Sequence, residues 1–162
     1  MTAADFLLAR IDDRLLHGQV AVAWAAALKP ALIYVVDDAV ASSAWESALY
    51  RSAPPPGAEV AVLRLDAFAA LWRERRVDPA RSFLLLRSPG SAFRLLDLGV
   101  PLARLNVGGL RHREGAREIL PYVWVGPEDE TSLRALAARG VEIRARDLPM
   151  NPEQYLAPLL GA

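Results

Sequence analysis

The 162-residue chain carries 19 basic and 19 acidic side chains, a formal net charge of zero, so neither a nucleic-acid surface nor an anionic membrane is indicated on electrostatic grounds. With 53% hydrophobic and 23% charged residues, it is expected to form a single domain over residues 1–162 with a substantial core rather than stay disordered. The absence of cysteine excludes disulfides and thiol chemistry and denies zinc its usual sulfur ligands, and with no basic leader and no long apolar run the expected location is the cytoplasm.

Strand and helix signals alternate along the chain. Phe6-Leu7-Leu8-Ala9 is a short apolar strand that feeds a turn, and the Ala-rich residues 20–28 leave that turn as a helix. Residues 31–36 form a continuous apolar, β-branched run ending in Asp37-Asp38, as expected of a strand buried on both faces. Ser42 and Ser43 are placed to cap the next helix, with Trp45, Ala48 and Leu49 on its inner face, and the proline cluster in residues 52–57 stops it. Residues 59–64 give a third strand, and Asp66 caps a helix that runs through Trp72.

Residues 82–86 are a fourth strand, followed by Ser88-Pro89 at a helix start. Residues 104–107 form a fifth that runs into Gly108-Gly109, and residues 119–125 a sixth, which Pro121 assigns to a sheet edge. A helix over residues 128–139 closes at Gly140, residues 141–145 are a last strand, and residues 152–160 a final helix. This alternation predicts an α/β fold: a single-domain, doubly wound, mostly parallel open sheet of about six or seven strands with helices on both faces.

Such folds place their sites beyond the carboxyl ends of the strands. There the chain sets the loops at residues 12–18, 37–41, 65–66, 87–90 and 108–115. The first holds His17, one of two histidines, three residues after Arg14 and directly before Gly18. A histidine at the positive end of a helix beside an arginine is suited to carrying a dianionic phosphoryl group. Neutral imidazole is an adequate nucleophile at cytoplasmic pH, and phosphoryl transfer needs mainly positioning and charge stabilisation. Arg14 offers a fork of donors to the phosphoryl oxygens, and the backbone N–H groups of Gly18, Gln19 and Val20 offer more. Either Asp12 or Asp13 can fix the imidazole tautomer by accepting its other N–H.

Plainer roles compete with these. Asp12 and Asp13 can cap the first helix or pair with Arg10 and Arg14, and Asp37 and Asp38 can cap and turn the chain after a strand. Gly108-Gly109 lets backbone approach a ligand closely or simply forms a turn. A phosphoaspartate receiver would want a lysine late in the sheet, and the sole lysine, Lys29, lies in the first helix. A divalent-metal phosphohydrolase using Asp12, Asp13, Asp37 and Asp38 would leave His17 unexplained. No metal and no cofactor is expected.

The run Arg10-Ile-Asp-Asp-Arg-Leu-Leu-His-Gly-Gln-Val20 resembles the phosphorylation loop of the IIB subunits of the mannose/fructose/sorbose class of the bacterial phosphoenolpyruvate-dependent sugar phosphotransferase system. Val35-Val-Asp-Asp38, Ala53-Pro-Pro-Pro-Gly57, Leu105-Asn-Val-Gly-Gly109, Arg113-Glu-Gly115 and Arg139-Gly-Val-Glu142 are similar to that family in order and spacing, so the likeness spans about residues 5–150. Arg111-His112 departs from the aromatic pattern that often follows the double glycine in this family. The resemblance implies that His17 accepts a phosphoryl group from a IIA subunit and passes it to a sugar entering through IIC and IID membrane subunits. It implies Asp37, Asn106 and Gly108 as supporting residues, a doubly wound sheet and a possible homo-oligomer. A subunit whose phosphorylation only regulates partner binding, without sugar transport, is the alternative, and membrane association would come through IIC and IID.

Overall fold

The first strand, Leu8–Asp12 (β1), is buried at every position although it contains an arginine and an aspartate. It lies at the centre of the sheet described by a computed structural model covering residues 5–161. After β1 the chain makes helix α1, a π-helical turn Gln19–Trp24 continuing as Ala25–Leu28. Next come β2 (Leu32–Val36), the short helices α2 (Asp38–Ala41) and α3 (Ala44–Ser52), and β3 (Glu59–Leu63). Helix α4 (Leu65–Arg73), β4 (Ser82–Leu86), α5 (Pro89–Asp97) and β5 (Arg104–Gly109) follow. The chain ends with β6 (Arg117–Leu120), β7 (Val123–Val125), α6 (Pro127–Ala138), β8 (Glu142–Ala145), β9 (Gln154–Tyr155) and a 3-10 turn Ala157–Leu160.

The main sheet has seven strands in the order β3-β2-β4-β1-β5-β8-β9. All neighbours are parallel except the β8–β9 pair. Strand alternation divides the core in two. Leu8, Ile33, Val35, Phe83 and Leu85 face α1, α2 and α3 with Val20, Trp24 and Val40. Ala9, Ile11, Tyr34, Val36, Leu84 and Leu86 face α4, α5 and α6 with Phe68, Leu95 and Leu133. Both faces are therefore covered, which is why β2 and β4 read as unbroken apolar runs. The doubly wound, mostly parallel sheet is the one expected.

Several local expectations need correction. Residues 119–125 do not form one edge strand. They belong to an antiparallel hairpin of β6 and β7, separate from the main sheet, and Pro121 sits in its turn. The final helix over residues 152–160 is absent. Gln154–Tyr155 instead pairs antiparallel with β8, and the chain closes in a short turn that buries Leu156 and Leu160. Pro158 lies within that turn, and its missing N–H disfavours a longer helix.

Helix α3 is rotated from the expected orientation: Trp45 is 74% and Leu49 54% exposed. Its inward side is polar and small. Ser47 is buried with its hydroxyl donating to the Val40 carbonyl at 2.8 Å, and this close seat leaves the apolar i, i+4 pair outward. Asp66 does not occupy the cap position of α4, which falls to Arg64; its carboxylate accepts the adjacent Ala67 N–H at 2.8 Å. The expected caps Ser43 and Ser88 do cap α3 and α5, whereas Ser42 ends α2.

Candidate functional site

The site is built on the carboxyl end of β1. The register against β5 shifts between Ile11 and Asp12, and the chain then folds back tightly. The Asp12 carbonyl accepts the Leu15 N–H at 2.9 Å, and its Oδ1 accepts the Arg14 N–H at 3.0 Å. Leu15 takes a left-handed conformation with φ of 56° and sinks into the core, an exchange of backbone strain for apolar burial. This reversal returns His17 over Asp12, with 3.0 Å between Nε2 and Oδ2.

Asp12 is therefore the carboxylate that meets the imidazole, and Asp13 is not. Asp13 points toward the segment after β5 and accepts the Arg111 backbone N–H at 2.8 Å and its Nε at 3.2 Å. Burial works to raise the Asp12 pKa, but hydrogen bonds from His17 and the Arg14 amide and the charge of Arg10 outweigh it and hold the carboxyl below its usual value. An ionised Asp12 only accepts, so Nε2 of His17 is the donor in this contact. His17 also lines a groove of about 350 Å³ with Leu16, Ala21, Leu49 and Tyr50.

Arg14 stands beside this pair. Its Nε lies 3.4 Å from Asp12 Oδ1 and one terminal nitrogen lies 3.3 Å from Gln19 Oε1, both long contacts, and the side chain is 38% exposed. Tyr50 Oη donates to the Arg14 carbonyl at 3.3 Å, tying the groove wall to the loop. The first helical bond of α1 runs from Ala21 N–H to the His17 carbonyl at 2.8 Å, so the N–H groups of Gly18, Gln19 and Val20 precede any helical acceptor.

Arg10 was invisible to motif reading as anything but an ion-pair partner. It is fully buried, and its two terminal nitrogens reach Asn106 Oδ1 at 2.8 Å, Asp12 Oδ2 at 3.1 Å and the carbonyls of Arg146 and Asp147 at 3.1 Å each. Burial lowers the Arg10 pKa, and the adjacent Asp12 charge opposes that shift. The guanidinium lies 5.3 Å from the Trp24 ring centroid, while Trp24 Nε1 donates to the Asp147 carbonyl at 2.8 Å. Asn106, aligned with Arg10 across the β1–β5 ladder, also donates to the Arg146 carbonyl at 3.2 Å. A Cβ at Gly108 would fall on the Arg10 guanidinium, so glycine is what lets the arginine pass under β5. The readable signal was a charged residue inside a strand buried on both faces. The carbonyls of residues 146 and 147 leave no signal, because any residue supplies them.

The second loop stays apart from this constellation. Asp37 caps α2 by accepting the Val40 N–H at 3.0 Å and faces Arg87 Nε at 3.5 Å. Asp38 accepts the Leu65 N–H at 2.9 Å. These are the capping and turn roles weighed for them, and Asp37 touches none of Asp12, Arg14 and His17. Among the described residues no group of three or more acidic or histidine side chains is arranged to hold a metal ion. His112 packs edge-on against Trp124 with ring centroids 4.7 Å apart.

Three comparisons bear on this arrangement. A family described as "PTS system sorbose subfamily IIB component" matches residues 6–162. The sorbose-specific EIIB component of Klebsiella pneumoniae is 32% identical over 145 residues, covering 90% of this chain and 88% of that protein. The mannose-specific EIIAB component of Escherichia coli K12 is 33% identical over 154 residues, 95% of this chain but 48% of that protein, so the chain spans about half of that relative. The crystal structure of the IIBSor domain of the Klebsiella pneumoniae sorbose permease superposes with a TM-score of 0.89 at 30% identity, covering 97% of this chain and 96% of that one.

Proposed function

The chain belongs to the sorbose-subfamily IIB components of the phosphotransferase system, and from that premise we propose that residues 1–162 act as one IIB domain that relays a phosphoryl group through His17 to a sugar. The observation that carries this reading is the contact of 3.0 Å between His17 Nε2 and the ionised Asp12, which leaves Nδ1 as the nucleophile. The Nδ1 lone pair attacks the phosphorus of a phosphohistidine on a IIA subunit. The new N–P bond forms as the donor's N–P bond breaks, and the bonding pair remains on the donor's imidazole nitrogen. The His17 ring gains positive charge, which Asp12 offsets at Nε2.

Arg14 exchanges its long contacts to Asp12 and Gln19 for the phosphoryl oxygens, and the N–H groups of Gly18, Gln19 and Val20 bind them at the start of α1. Arg10, Asn106 and Gly108 support the site from beneath by holding Asp12 in place. In the second transfer a sugar hydroxyl attacks phosphorus and gives its proton to water, and the His17 N–P bond breaks with its pair returning to Nδ1, to give the sugar phosphate. The sugar enters through IIC and IID membrane subunits, and the relay works in the cytoplasm, meeting the membrane only through those partners. Relatives named for mannose and sorbose support a sugar as the acceptor. Among the described residues no helix is long and apolar enough to cross a membrane.

Intact-mass measurement after incubation with phosphoenolpyruvate, the general phosphotransferase proteins and a IIA subunit tests the relay. The expected product is one acid-labile, alkali-stable phosphoryl group that His17→Ala abolishes. Retention of the adduct in that variant overturns the assignment. Sugar phosphate formed on adding IIC and IID separates a relay from a purely regulatory subunit.

A further inference from the structure

Three adjacent strands set a second arginine beside the His17 loop. Ile11 pairs with Leu86 and Val35 with Leu85. Extending each register beyond these pairs puts Asp12, Arg87 and Asp37 in a row at the carboxyl ends of β1, β4 and β2. Strand alternation places all three on the face that carries Leu8, Leu85 and Val35, the face from which His17 and Tyr50 line their groove. Arg87 also borders an open groove of about 520 Å³ together with Asp13. Burial raises the Tyr50 pKa and the Arg87 charge opposes that shift, so the cation lies close to the tyrosine that bonds the Arg14 carbonyl.

Arg87 is loosely held. Its Nε is buried without a hydrogen-bond partner among the described residues and lies 3.5 Å from Asp37 Oδ1, and the side chain is 43% exposed. Other arginines of this edge are committed: Arg10 spans four acceptors, Arg111 is held by Asp13, and Arg113 is ion-paired with Asp129. The Asp12 carboxylate is already met by Arg10, Arg14 and His17, so Arg87 turns to Asp37 on its other side.

A phosphoryl group on His17 brings nearly two negative charges to a site that already holds the ionised Asp12, and Arg14 answers one of them. We propose that Arg87 is a second phosphoryl-binding residue, which turns from Asp37 to the phosphoryl oxygens once His17 carries them. The inference rests on the relay reading and deepens it. The long contact to Asp37 is readily given up, and the guanidinium fork offers the oxygens two donors at once. Asp37 stays hydrogen-bonded to the Val40 N–H and serves as the resting place of the cation between transfers.

The test measures the equilibrium constant for phosphoryl exchange between phosphorylated IIA and the full chain, with initial rates giving the donor KM. Arg87→Ala should lower that constant about tenfold and hold KM within a factor of about two, because the arginine acts on the phosphorylated state. Asp37→Asn should raise it about threefold, since asparagine keeps the cap on α2 and removes the charge that holds Arg87 back. Combined with Arg87→Ala, Asp37→Asn should have no further effect. Circular dichroism and thermal melting report whether each variant keeps the parent fold.

An exchange constant unchanged in folded Arg87→Ala overturns the proposal and leaves Arg87–Asp37 as a static pair, with the relay intact. A raised KM at an unchanged constant overturns it too, since that pattern belongs to contact with the donor protein. An equal gain from Asp37→Asn with and without Arg87 traces the effect to charge alone and also overturns it. If Arg87→Ala does not fold, Asp37→Asn decides: no rise in the constant overturns the proposal. A parent chain that takes no phosphoryl group from phosphorylated IIA removes the relay and this inference together.

Discussion

A single carboxylate organises the site. Asp12 meets three cationic or proton-donating side chains, Arg10 from below, Arg14 from the side and His17 from above, and has almost no solvent of its own. Its depressed pKa has a consequence for stability. A carboxyl group whose native value lies below its unfolded value contributes fully above the unfolded value, about 3.9, and loses that contribution as pH falls through the native one. In urea unfolding, the gap between the parent and Asp12→Asn should therefore be widest near neutral pH and narrow below about pH 4. A gap that stays constant from neutral to acid pH would mean that Asp12 is not ionised against its partners. The same variant should slow phosphorylation of His17 by about a hundredfold, because an amide no longer fixes the Nε2–H tautomer. At this scale the contacts among Asp12, Arg14 and His17 were readable, because the three lie within a few residues of one another. The choice of Asp12 over Asp13 was not, since it depends on Arg111, Asn106 and Gly108, about a hundred residues away.

The elements differ in how far they announce themselves. Helix α5 has Ser88 accepting the Ser91 N–H at 3.2 Å and Pro89 at the first helical position, a start whose chemistry is entirely local. Ser88→Ala should cost about 1 kcal/mol by denaturant titration, with an unchanged slope because the surface exposed on unfolding stays the same. No loss of stability would show that the cap is supplied by the neighbouring Ser91 hydroxyl, 3.2 Å away. Strands β2 and β4 were legible for a related reason: burial on both faces leaves no alternative to an apolar run. Helix α3 was legible in extent but not in orientation. Its apolar spacing describes one face of a helix equally well whether that face meets a core or a partner, and Ser47 decided the matter through a tertiary bond. The hairpin β6–β7 and the closing turn were missed because Pro121 and Pro158 mark interruption without saying what the chain does next.

Taken as a molecule, the chain gathers its reactive groups at one edge while its charges cancel overall. The neighbouring strands β4 and β5 carry the loops beside β1, and the carbonyls of residues 146 and 147 close under Arg10, so the first strand and the segment after β8 meet beneath the site. With 19 basic and 19 acidic residues the protein has no net field to draw in a charged partner from a distance. In the relay proposed above, attraction to a phosphorylated donor is then local, limited to Arg14 and the helix start within contact range. Salt screens long-range steering far more than it weakens apolar contact. Stopped-flow measurement of kcat/KM for donor phosphoryl transfer should accordingly fall by no more than about threefold between 0.05 and 0.5 M salt. A decline of about a hundredfold would show that charge steering dominates the encounter.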